Sequence, residues 1–332
     1  MMQKAQEPQI EFVSTDLLII ENIQKTFPVK AGLGKTLSAK AVDGVTLTVS
    51  RGEAVGLVGE SGCGKSTLGR LALRLLEPTA GNVFFEGKNL GKLDKRELRA
   101  LRKSMQIIFQ DPFASLNPRM RIEEIITEPI VIHGLAKREE LGMRGAELLE
   151  KVGLSVDALQ RYPHEFSGGQ RQRIGIARAL ASRPSFIVAD EPVSALDVSV
   201  QAQIINLLED LREEFKLSFL FISHDLNIVR YFSDRVAVMY LGKIVEIAPA
   251  EEIYKKPSHP YTEALLADIP IADPAVKKKH ILLKGDIPST TQIPAGCRFH
   301  TRCLYRFEPC DKIVPQTTDL GNGHFVDCHL RG

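Results

Sequence analysis

The stretch Gly59-Glu60-Ser61-Gly62-Cys63-Gly64-Lys65-Ser66 matches the pattern G-x-x-x-x-G-K-[ST]. The apolar run Ala54–Val58 precedes it, and Thr67–Leu76, which has a helical pattern, follows it. Glycines let successive backbone N–H groups turn toward phosphate oxygens, and the N-terminus of the next helix favours negative charge. The eight residues and Thr67 therefore predict a phosphate-binding loop, although Cys63 stands at a variable position and is assigned no chemistry of its own. A chance match in a tight turn is the alternative, and the flanking strand and helix argue against it.

Within this loop the pattern assigns two roles. Lys65 is expected to contact the β- and γ-phosphates of a nucleotide, and Ser66 is expected to ligate Mg²⁺. The loop thus predicts nucleotide binding.

The chain around the loop alternates short apolar runs with helical patterns from Leu17 to about Val245, which predicts an α/β domain with a buried sheet. Val45–Val49 alternates as a half-exposed strand does. Four near-continuous apolar runs are typical of strands covered on both faces: Ala54–Val58, Met105–Phe109, Phe186–Ala189 and Leu217–Ile222. Helical patterns at Ile122–Val152 and Gly169–Ser182 separate the second of these runs from the third. We therefore predict an inserted helical subdomain at about residues 112–182.

Two carboxylates, Asp190 and Glu191, follow the predicted strand Phe186–Ala189. Ligand sites in such sheets lie at the carboxyl ends of strands, so Asp190 is expected to hold the Mg²⁺ shell. Phosphoryl transfer to water needs charge stabilisation and a positioned nucleophile, so Glu191 is the candidate for polarising the attacking water. A solvated acidic turn is the alternative for this pair.

Further motifs accompany the loop and the acidic pair. Phe166-Ser167-Gly168-Gly169-Gln170-Arg171-Gln172-Arg173 resembles the signature sequence of ABC ATPases. Phe109-Gln110-Asp111-Pro112 resembles their Q-loop, Ser194-Ala195-Leu196-Asp197 their D-loop, and His224 their switch histidine. The motifs occur in the family's order and cover roughly Leu17–Val245. The resemblance implies a P-loop NTPase fold of the ABC type that binds ATP and Mg²⁺.

The same resemblance implies how these residues act. ABC ATPases form head-to-tail dimers, in which the signature of one subunit closes over the γ-phosphate held by the other's loop. Gln110 would then contact Mg²⁺ and the attacking water, and His224 the γ-phosphate, whereas a lone surface-loop histidine is the alternative. Phe27 resembles the aromatic residue that stacks on adenine, and a core phenylalanine is the alternative there. The remaining nucleotide-binding residues would be Ser167, Gly168, Gly169, Gln170 and Asp197; because Ser167–Gly169 precede a predicted helix, we also expect a second anion site there.

Segments outside the ATPase motifs resemble the ATPase subunits of oligopeptide and dipeptide importers. They are Phe109–Arg119, Pro257–Thr262 and the cysteine-rich tail, and Glu60–Leu68 is closer to the second of the two ATPases in such importers. This implies a sister ATPase as heterodimer partner, two membrane permease subunits and an external substrate-binding protein. Peptides are the expected cargo, with nickel, glutathione or another small solute as alternatives. A non-transport ABC ATPase is less favoured, because Lys65 and Ser167 lie too close for the coiled coil of repair types.

The bulk composition excludes some classes. The formal net charge of +2 gives no reason to expect a nucleic-acid partner. No apolar window approaches the length of a membrane span, and Met1–Phe12 lacks the pattern of a secretory signal. A location on the cytoplasmic face of the membrane is expected.

Four cysteines crowd the end of the chain: Cys297, Cys303, Cys310 and Cys328. They follow a proline-rich stretch, so residues 256–332 are predicted as a small Cys-rich appendage to an ATPase domain at 16–255, with a tail at 1–15 and a solvated linker at Lys277–Lys279. In a reducing compartment four thiols suggest a metal rather than disulfides. Their spacing leaves zinc open, with His300, His324 or His329 as substitutes. The resemblance favours a [4Fe–4S] cluster, and reduced, unliganded cysteines are the alternative.

Overall fold

The computed structural model describes residues 16–31, 35–269, 283 and 285–332. The predicted N-terminal tail, residues 1–15, and the basic run Lys277–Lys279 lie outside the described residues. Across the described ranges, every helix is too short or too polar to cross a bilayer.

A four-stranded antiparallel sheet is built from the N-terminal part of the chain, in the order β2-β1-β4-β5. Its strands are β1 (Asp16–Ala31), β2 (Lys35–Ser50), β4 (Ala80–Phe85) and β5 (Lys88–Asn89). The first two strands pair along their length, from Asp16 opposite Ser50 to Ala31 opposite Lys35. The strand predicted at Val45–Val49 is therefore the end of a much longer one.

The main sheet has eight strands in the order β11-β12-β10-β9-β3-β8-β7-β6. Its strands are β3 (Ala54–Val58), β6 (Met105–Ile108), β7 (Phe186–Asp190), β8 (Ser218–Ile222), β9 (Arg235–Tyr240), β10 (Lys243–Pro249), β11 (Thr317–Asp319) and β12 (Phe325–Asp327). The five strands from β9 to β6 are parallel, and β10, β12 and β11 extend the sheet antiparallel. The four apolar runs predicted as buried strands agree with β3, β6, β7 and β8 to within one residue.

Both faces of the main sheet are covered by hydrophobic side chains. In β8, Phe219 and Phe221 belong to the core on the helical face, whereas Leu220 and Ile222 belong to the core under the antiparallel sheet. Burying each such side chain contributes about 1.5–3 kcal/mol. Because successive side chains of a strand point to opposite faces, a strand covered on both sides is apolar at every position.

Helices connect these strands. They are α1 (Lys65–Ala72), α2 (Lys95–Arg102), α3 (Ile122–His133), α4 (Leu141–Lys151), α5 (Gly168–Leu180), α6 (Val198–Phe215), α7 (Leu226–Phe232), α8 (Ala250–Lys255) and α9 (Pro260–Ala267). Between β6 and β7, α3, α4 and α5 pack on one another. The helix predicted at Thr67–Leu76 begins at Lys65 and ends earlier, because Arg74 adopts a φ of 48°, in the left-handed region that interrupts a right-handed helix.

The C-terminal tail, the described part of residues 256–332, is joined to the rest of the chain through the main sheet and its core. Strand β12 pairs with β10. The side chains of Tyr261 and Phe299 are fully buried, in the same hydrophobic cluster as Val236 and Val238 of β9. The tail thus completes one edge of the main sheet, whereas the sequence led us to expect an appendage.

Candidate functional site

The glycine-rich loop between β3 and α1 is closed around the Lys65 side chain. Only 5% of Lys65 is exposed, and its Nζ donates hydrogen bonds to the carbonyl oxygens of Gly59 at 2.7 Å and Glu60 at 3.2 Å. Gly64, with a φ of 110°, begins the helix, and a Cβ there would meet the carbonyl oxygen of Ala41 at 2.1 Å. Only glycine fits this position, and the loop surrounds a buried ammonium suited to phosphate oxygens.

Next to the loop, Ser66 Oγ donates a hydrogen bond to Asp190 Oδ1 at 2.7 Å. Asp190 is buried at the end of β7, and this burial raises the pKa of its carboxyl group, against the hydrogen bond from Ser66 and the charges of Arg70 and Lys65. A hydroxyl and a carboxylate oxygen are hard donors of the kind Mg²⁺ prefers. Within the described residues no three His, Cys, Asp or Glu side chains converge as metal ligands.

Glu191, which follows β7, contacts residues that follow the two neighbouring strands, β6 and β8. Gln110, which follows β6, donates from Nε2 to Glu191 Oε2 at 2.8 Å, and His224 Nδ1, after β8, lies 3.4 Å from the same oxygen. The strands β6, β7 and β8 are parallel neighbours, so their carboxyl ends lie at one edge of the sheet. The structure therefore brings the three predicted catalytic residues together, with the His224 side chain 61% exposed.

The backbone of Glu191 is held in an uncommon conformation. Its φ is 47°, in the left-handed region, and its N–H donates to the carbonyl oxygen of Ile222 at 2.9 Å. A non-glycine residue in this region costs about 1–3 kcal/mol, and such conformations cluster at functional sites. The turn directs the Glu191 carboxylate toward Gln110 and His224 rather than along the strand.

The predicted signature residues form the N-terminus of α5. Ser167 is the N-cap, and its side chain and that of Gln170 each accept a hydrogen bond from the other residue's backbone N–H, at 3.4 and 3.0 Å. Ser167 and Gln170 are exposed, and Gly168 and Gly169 are half-buried against Leu196 and Val200. This exposed N-terminus of a 13-residue helix presents partial positive charge to its surroundings.

Two other predicted residues lie apart from this edge of the sheet. Asp197 is the exposed N-cap of α6, followed by Val198, which is 82% exposed. Phe27 lies on β1 with 36% of its surface exposed, and Lys25 Nζ lies 5.1 Å from its ring centroid. The exposed Phe27 ring is available for stacking.

Comparison with known proteins agrees with this site. Residues 42–194 match the ABC transporter family model, and residues 245–310 match that of the oligopeptide/dipeptide transporter C-terminal region. The oligopeptide transport ATP-binding protein AppF of Bacillus subtilis is 51% identical over 95% of this chain and 97% of its own length. YkfD of the same bacterium, provisionally named for the same transport, is 56% identical over 90% and 91% of the two chains. The chain belongs to the ABC transporter family.

Solved structures show that this ABC ATPase has the ATP-binding cassette fold. The dimeric cassette MJ0796, bound to ADP and Pi, has a TM-score of 0.63 and 32% identity over 70% of this chain and 98% of its own. CbiO1 from Clostridium perfringens, part of an ABC transporter complex, has a TM-score of 0.62 and 25% identity over 73% and 92% of the two chains. The predicted α/β P-loop NTPase fold of the ABC type is therefore confirmed, and the protein is an ATP-binding ATPase.

The tail of the ABC ATPase contains four free cysteines, of which Cys297, Cys310 and Cys328 are buried and Cys303 is half-buried. Burial raises the pKa of Cys297 to about 11, and the other three thiols add to that rise, so the four lie near one another. They do not surround a point where one metal ion would fit, nor does any comparable group among the described residues. The four cysteines predicted as metal ligands are thus close together, but they do not form a site for a single metal ion.

The three histidines named as zinc substitutes already have hydrogen-bond partners. His324 Nε2 lies 2.8 Å from Glu246 Oε1, His300 Nδ1 lies 2.8 Å from the Cys297 carbonyl oxygen, and His329 Nε2 lies 2.9 Å from the Ile313 carbonyl oxygen. Each ring is therefore oriented by contacts outside the cysteine thiols.

Sequence reasoning missed two residues that contact the phosphate-binding loop of the ABC ATPase. Arg302 forms an ion pair with Glu60, and the Tyr261 hydroxyl oxygen accepts a hydrogen bond from the Glu60 N–H. Tyr261 lies in the segment Pro257–Thr262, which the sequence used only as a family resemblance. Nothing in the local pattern around Arg302 indicates its partner.

Proposed function

We propose that this ABC ATPase is one of two motor subunits that energise a bacterial importer of di- or oligopeptides. The observation that carries the proposal is that the similarity extends beyond the cassette into residues 245–310, which match the C-terminal region of oligopeptide and dipeptide transporters. AppF, named for oligopeptide transport, is similar along nearly the whole chain. Nickel, glutathione or another small solute are the alternative cargoes, because cargo is selected by other subunits.

The proposed catalytic mechanism uses the edge of the sheet where β6, β7 and β8 end. Gln110 and His224 both contact Oε2 of Glu191, which leaves Oε1 to accept a hydrogen bond from the attacking water. A carboxylate positioned in this way orients and polarises water. His224, with its exposed ring, would contact the γ-phosphate, and Gln110 would contact Mg²⁺ and the water.

Nucleotide and metal would be held on the other side of Glu191 by the loop and by Ser66 and Asp190. ATP would replace the loop carbonyls as the partner of Lys65 Nζ, since that ammonium now contacts Gly59 and Glu60. Bound Mg²⁺ supplies charge stabilisation to the phosphates. The loop amides, Lys65 and Thr67 orient the triphosphate, and Phe27 would stack on the adenine.

The exposed signature residues support a head-to-tail dimer with a sister ATPase. Ser167, Gly168, Gly169 and Gln170 would close over the nucleotide of the partner subunit, with Asp197 nearby at the interface. A helix N-terminus with exposed donors is an anion site, and one nucleotide within one chain does not need two such sites.

Permease subunits would dock on the helices between β6 and β7, which we assign to a helical subdomain at about residues 112–182. A groove of about 220 Å³ lies between this region and the sheet domain and is lined by Leu75, Met105, Pro129 and Ile132. Leu75 and Ile132 are 45% and 47% exposed. An apolar groove of this kind suits a short helix of a membrane subunit at the cytoplasmic face. An external substrate-binding protein would deliver the cargo.

The four tail cysteines would hold a [4Fe–4S] cluster, which is bound by four thiolates. Thiolates on different irons lie farther apart than ligands of one ion, which is compatible with four neighbouring thiols that surround no single point. Protein purified without oxygen should be brown and contain about four irons per chain. Cys328→Ser should lower the iron content, and Cys63→Ser, in the phosphate-binding loop, should leave it unchanged. Stoichiometric zinc without iron would contradict the assignment.

The transport proposal is tested by purifying the tagged chain with an intact membrane fraction and identifying the co-purified subunits. We expect a second ATPase and two permeases, and addition of di- or oligopeptides with the matching binding protein should raise ATP hydrolysis in vesicles. Stimulation by nickel or glutathione, and none by peptides, would replace peptide by that cargo.

A further inference from the structure

Glu60, at the first variable position of the phosphate-binding loop, is held by two residues of the C-terminal tail. Arg302 donates two hydrogen bonds to the Glu60 carboxylate, from Nη1 to Oε2 at 2.7 Å and from Nη2 to Oε1 at 3.0 Å. The Tyr261 hydroxyl oxygen accepts a hydrogen bond of 2.8 Å from the Glu60 N–H. These contacts join parts of the chain 242 and 201 residues apart.

The pair is sheltered from water. The Arg302 side chain is 7% exposed and that of Glu60 24%. The hydrogen bonds to Glu60 raise the pKa of Arg302, and they outweigh burial, which lowers it. The guanidinium therefore stays charged. Bidentate arginine–carboxylate pairs fix direction as well as distance, and they are stronger away from bulk water.

All three polar groups of Glu60 therefore have partners. Its N–H donates a hydrogen bond to the Tyr261 hydroxyl oxygen, and its carboxylate forms the ion pair with Arg302. Its carbonyl oxygen accepts hydrogen bonds from Lys65 Nζ at 3.2 Å and from the Cys63 N–H at 3.3 Å. The backbone conformation at Glu60 sets the direction of the N–H groups that follow it in the loop. The tail contacts thus act on the orientation of the phosphate-binding amides from outside the loop.

Tyr261 and Arg302 are themselves firmly supported. The rings of Tyr240, Tyr261 and Phe299 contact one another, with centroids 4.7 to 5.4 Å apart, and the Arg302 guanidinium lies 6.0 Å from the Tyr240 centroid. His259 caps α9 through Nδ1, which accepts from the Tyr261 N–H at 3.0 Å.

A buried carboxylate secures the start of the same segment. Glu246 accepts hydrogen bonds from the N–H groups of Ser258 and His259, at 2.6 and 3.0 Å. These contacts give Pro257–Thr262 a role that the sequence did not indicate, which is to present Tyr261 to the loop.

We propose that Arg302 and Tyr261 are positioning residues for nucleotide binding, which hold the phosphate-binding loop in its binding conformation through Glu60. The inference rests on the ATP-binding function of the loop. Without the tail contacts the loop would have to be ordered by the nucleotide, so affinity is reduced while the chemical step, carried by Glu191, is unchanged.

The test compares substitutions in the full chain that remove these contacts with one that removes a tail contact elsewhere. Arg302→Ala should raise both the Kd for Mg-ADP and the KM for Mg-ATP about tenfold, with kcat within about twofold, as expected for loss of uniform binding. Arg302→Lys keeps the positive charge but cannot form the two parallel hydrogen bonds of the guanidinium, and Tyr261→Phe removes only the hydroxyl group. Each should therefore raise Kd about threefold.

The matched control is Val326→Ala. Val326 is a buried tail residue of β12, which pairs with β10 and lies three strands from β3, the strand that leads into the loop. Its truncation should lower Tm as Arg302→Ala does and leave Kd and KM unchanged.

Several results would overturn the inference. Parent-like Kd in folded Arg302→Ala, or the same rise in Val326→Ala, would show that the tail acts only on stability. If Arg302→Ala does not fold, Arg302→Lys and Tyr261→Phe decide, since both preserve the shape of the site; parent-like Kd values in both reject the inference. In a cycle with Glu60→Gln, additive effects of Glu60→Gln and Arg302→Lys on Kd would also reject it. A parent that binds no Mg-ADP would instead reject the nucleotide-binding function itself.

Discussion

The phosphate-binding loop and the signature segment both place backbone amides at a helix N-terminus, yet they are supported in different ways. The loop is held by Lys65 from within and by Arg302 and Tyr261 from the tail. Ser167 and Gln170 of the signature cap each other and are otherwise exposed. The contacts around the phosphate-binding loop all come from this chain, whereas the signature segment is exposed and resembles half of a site that a second subunit would complete. In the proposed dimer, preorganisation would therefore be built into the half that holds the nucleotide, whereas the signature half would act through a partner.

The largest expected effect comes from Lys65→Ala, which removes the buried ammonium from the self-contained half. ATP affinity should fall at least about a hundredfold, because charge-assisted hydrogen bonds to phosphate contribute about 1.5–3 kcal/mol each. Equilibrium binding of Mg-ATP measures this, with Lys88→Ala, an exposed lysine of β5, as the control. Binding equal to that of the parent would show that the loop does not hold the triphosphate.

Glu191→Gln should separate binding from chemistry in the same half. The amide cannot polarise water as the carboxylate does, so hydrolysis should slow about a hundredfold or more while ATP binding persists. Phosphate release measures the rate, and gel filtration with ATP should show accumulated dimers. Glu251→Gln, at an exposed glutamate of α8, is the control. Near-parent hydrolysis would remove Glu191 from its proposed role.

Ser167→Ala tests the outward-facing half. Loss of the hydroxyl should weaken ATP-dependent dimer formation about tenfold, with monomer binding of ATP unchanged, because one charge-assisted hydrogen bond across the interface is lost. Light scattering of the Glu191→Gln background measures the dimer. Ser155→Ala removes a similar serine cap from the short 3-10 helix Val156–Gln160 and should leave dimerisation unchanged. Equal effects of the two would mean that capping, rather than contact with nucleotide, is the role of Ser167.

The remaining prediction concerns stability rather than activity, through a residue that supports the contact between the tail and the loop. Burial lowers the pKa of His259 to about 3, while the unfolded chain binds a proton near pH 6.5. Between these values the unfolded state holds the extra proton, so the free energy of unfolding falls as the pH falls, by up to about 1.4 kcal/mol per pH unit. His259→Asn keeps a capping side chain without a titrating group, so its unfolding free energy should change less between pH 6 and 4. Urea denaturation followed by circular dichroism checks this, and equal pH slopes would contradict it.

Four of the five parallel strands were predictable because each has its own signal, whereas β9 was not among the predicted runs. Phe186–Asp190 is buried on both faces, so hydrophobic residues occupy four consecutive positions and the carboxylate of Asp190 marks the strand end. The phosphate-binding loop was equally predictable, because the backbone turn around the phosphate oxygens fixes the spacing of its glycines, lysine and serine. In contrast, the edge strands β11 and β12 have three residues each, too few to show a period.

The site itself was only partly predictable. Asp190 and Glu191 followed from their place after a strand, but the roles of Gln110 and His224 depended on resemblance to a family. Gln110 and Glu191 are 81 residues apart, and they meet because β6 and β7 are parallel neighbours. That pairing is a property of strand order, which the separate apolar runs do not specify.

By itself, the sequence determined the local features of this protein: the buried strands, the phosphate-binding loop and the carboxylates at the end of β7. Each of these arises from residues adjacent along the chain, where periodicity and backbone geometry act directly. Only the tertiary structure decided that Gln110 and His224 share Glu191 Oε2 and that Arg302 and Tyr261 hold Glu60. Hydrogen bonds and ion pairs depend on distances of a few ångströms in space, and the folding of the whole sheet and tail sets those distances.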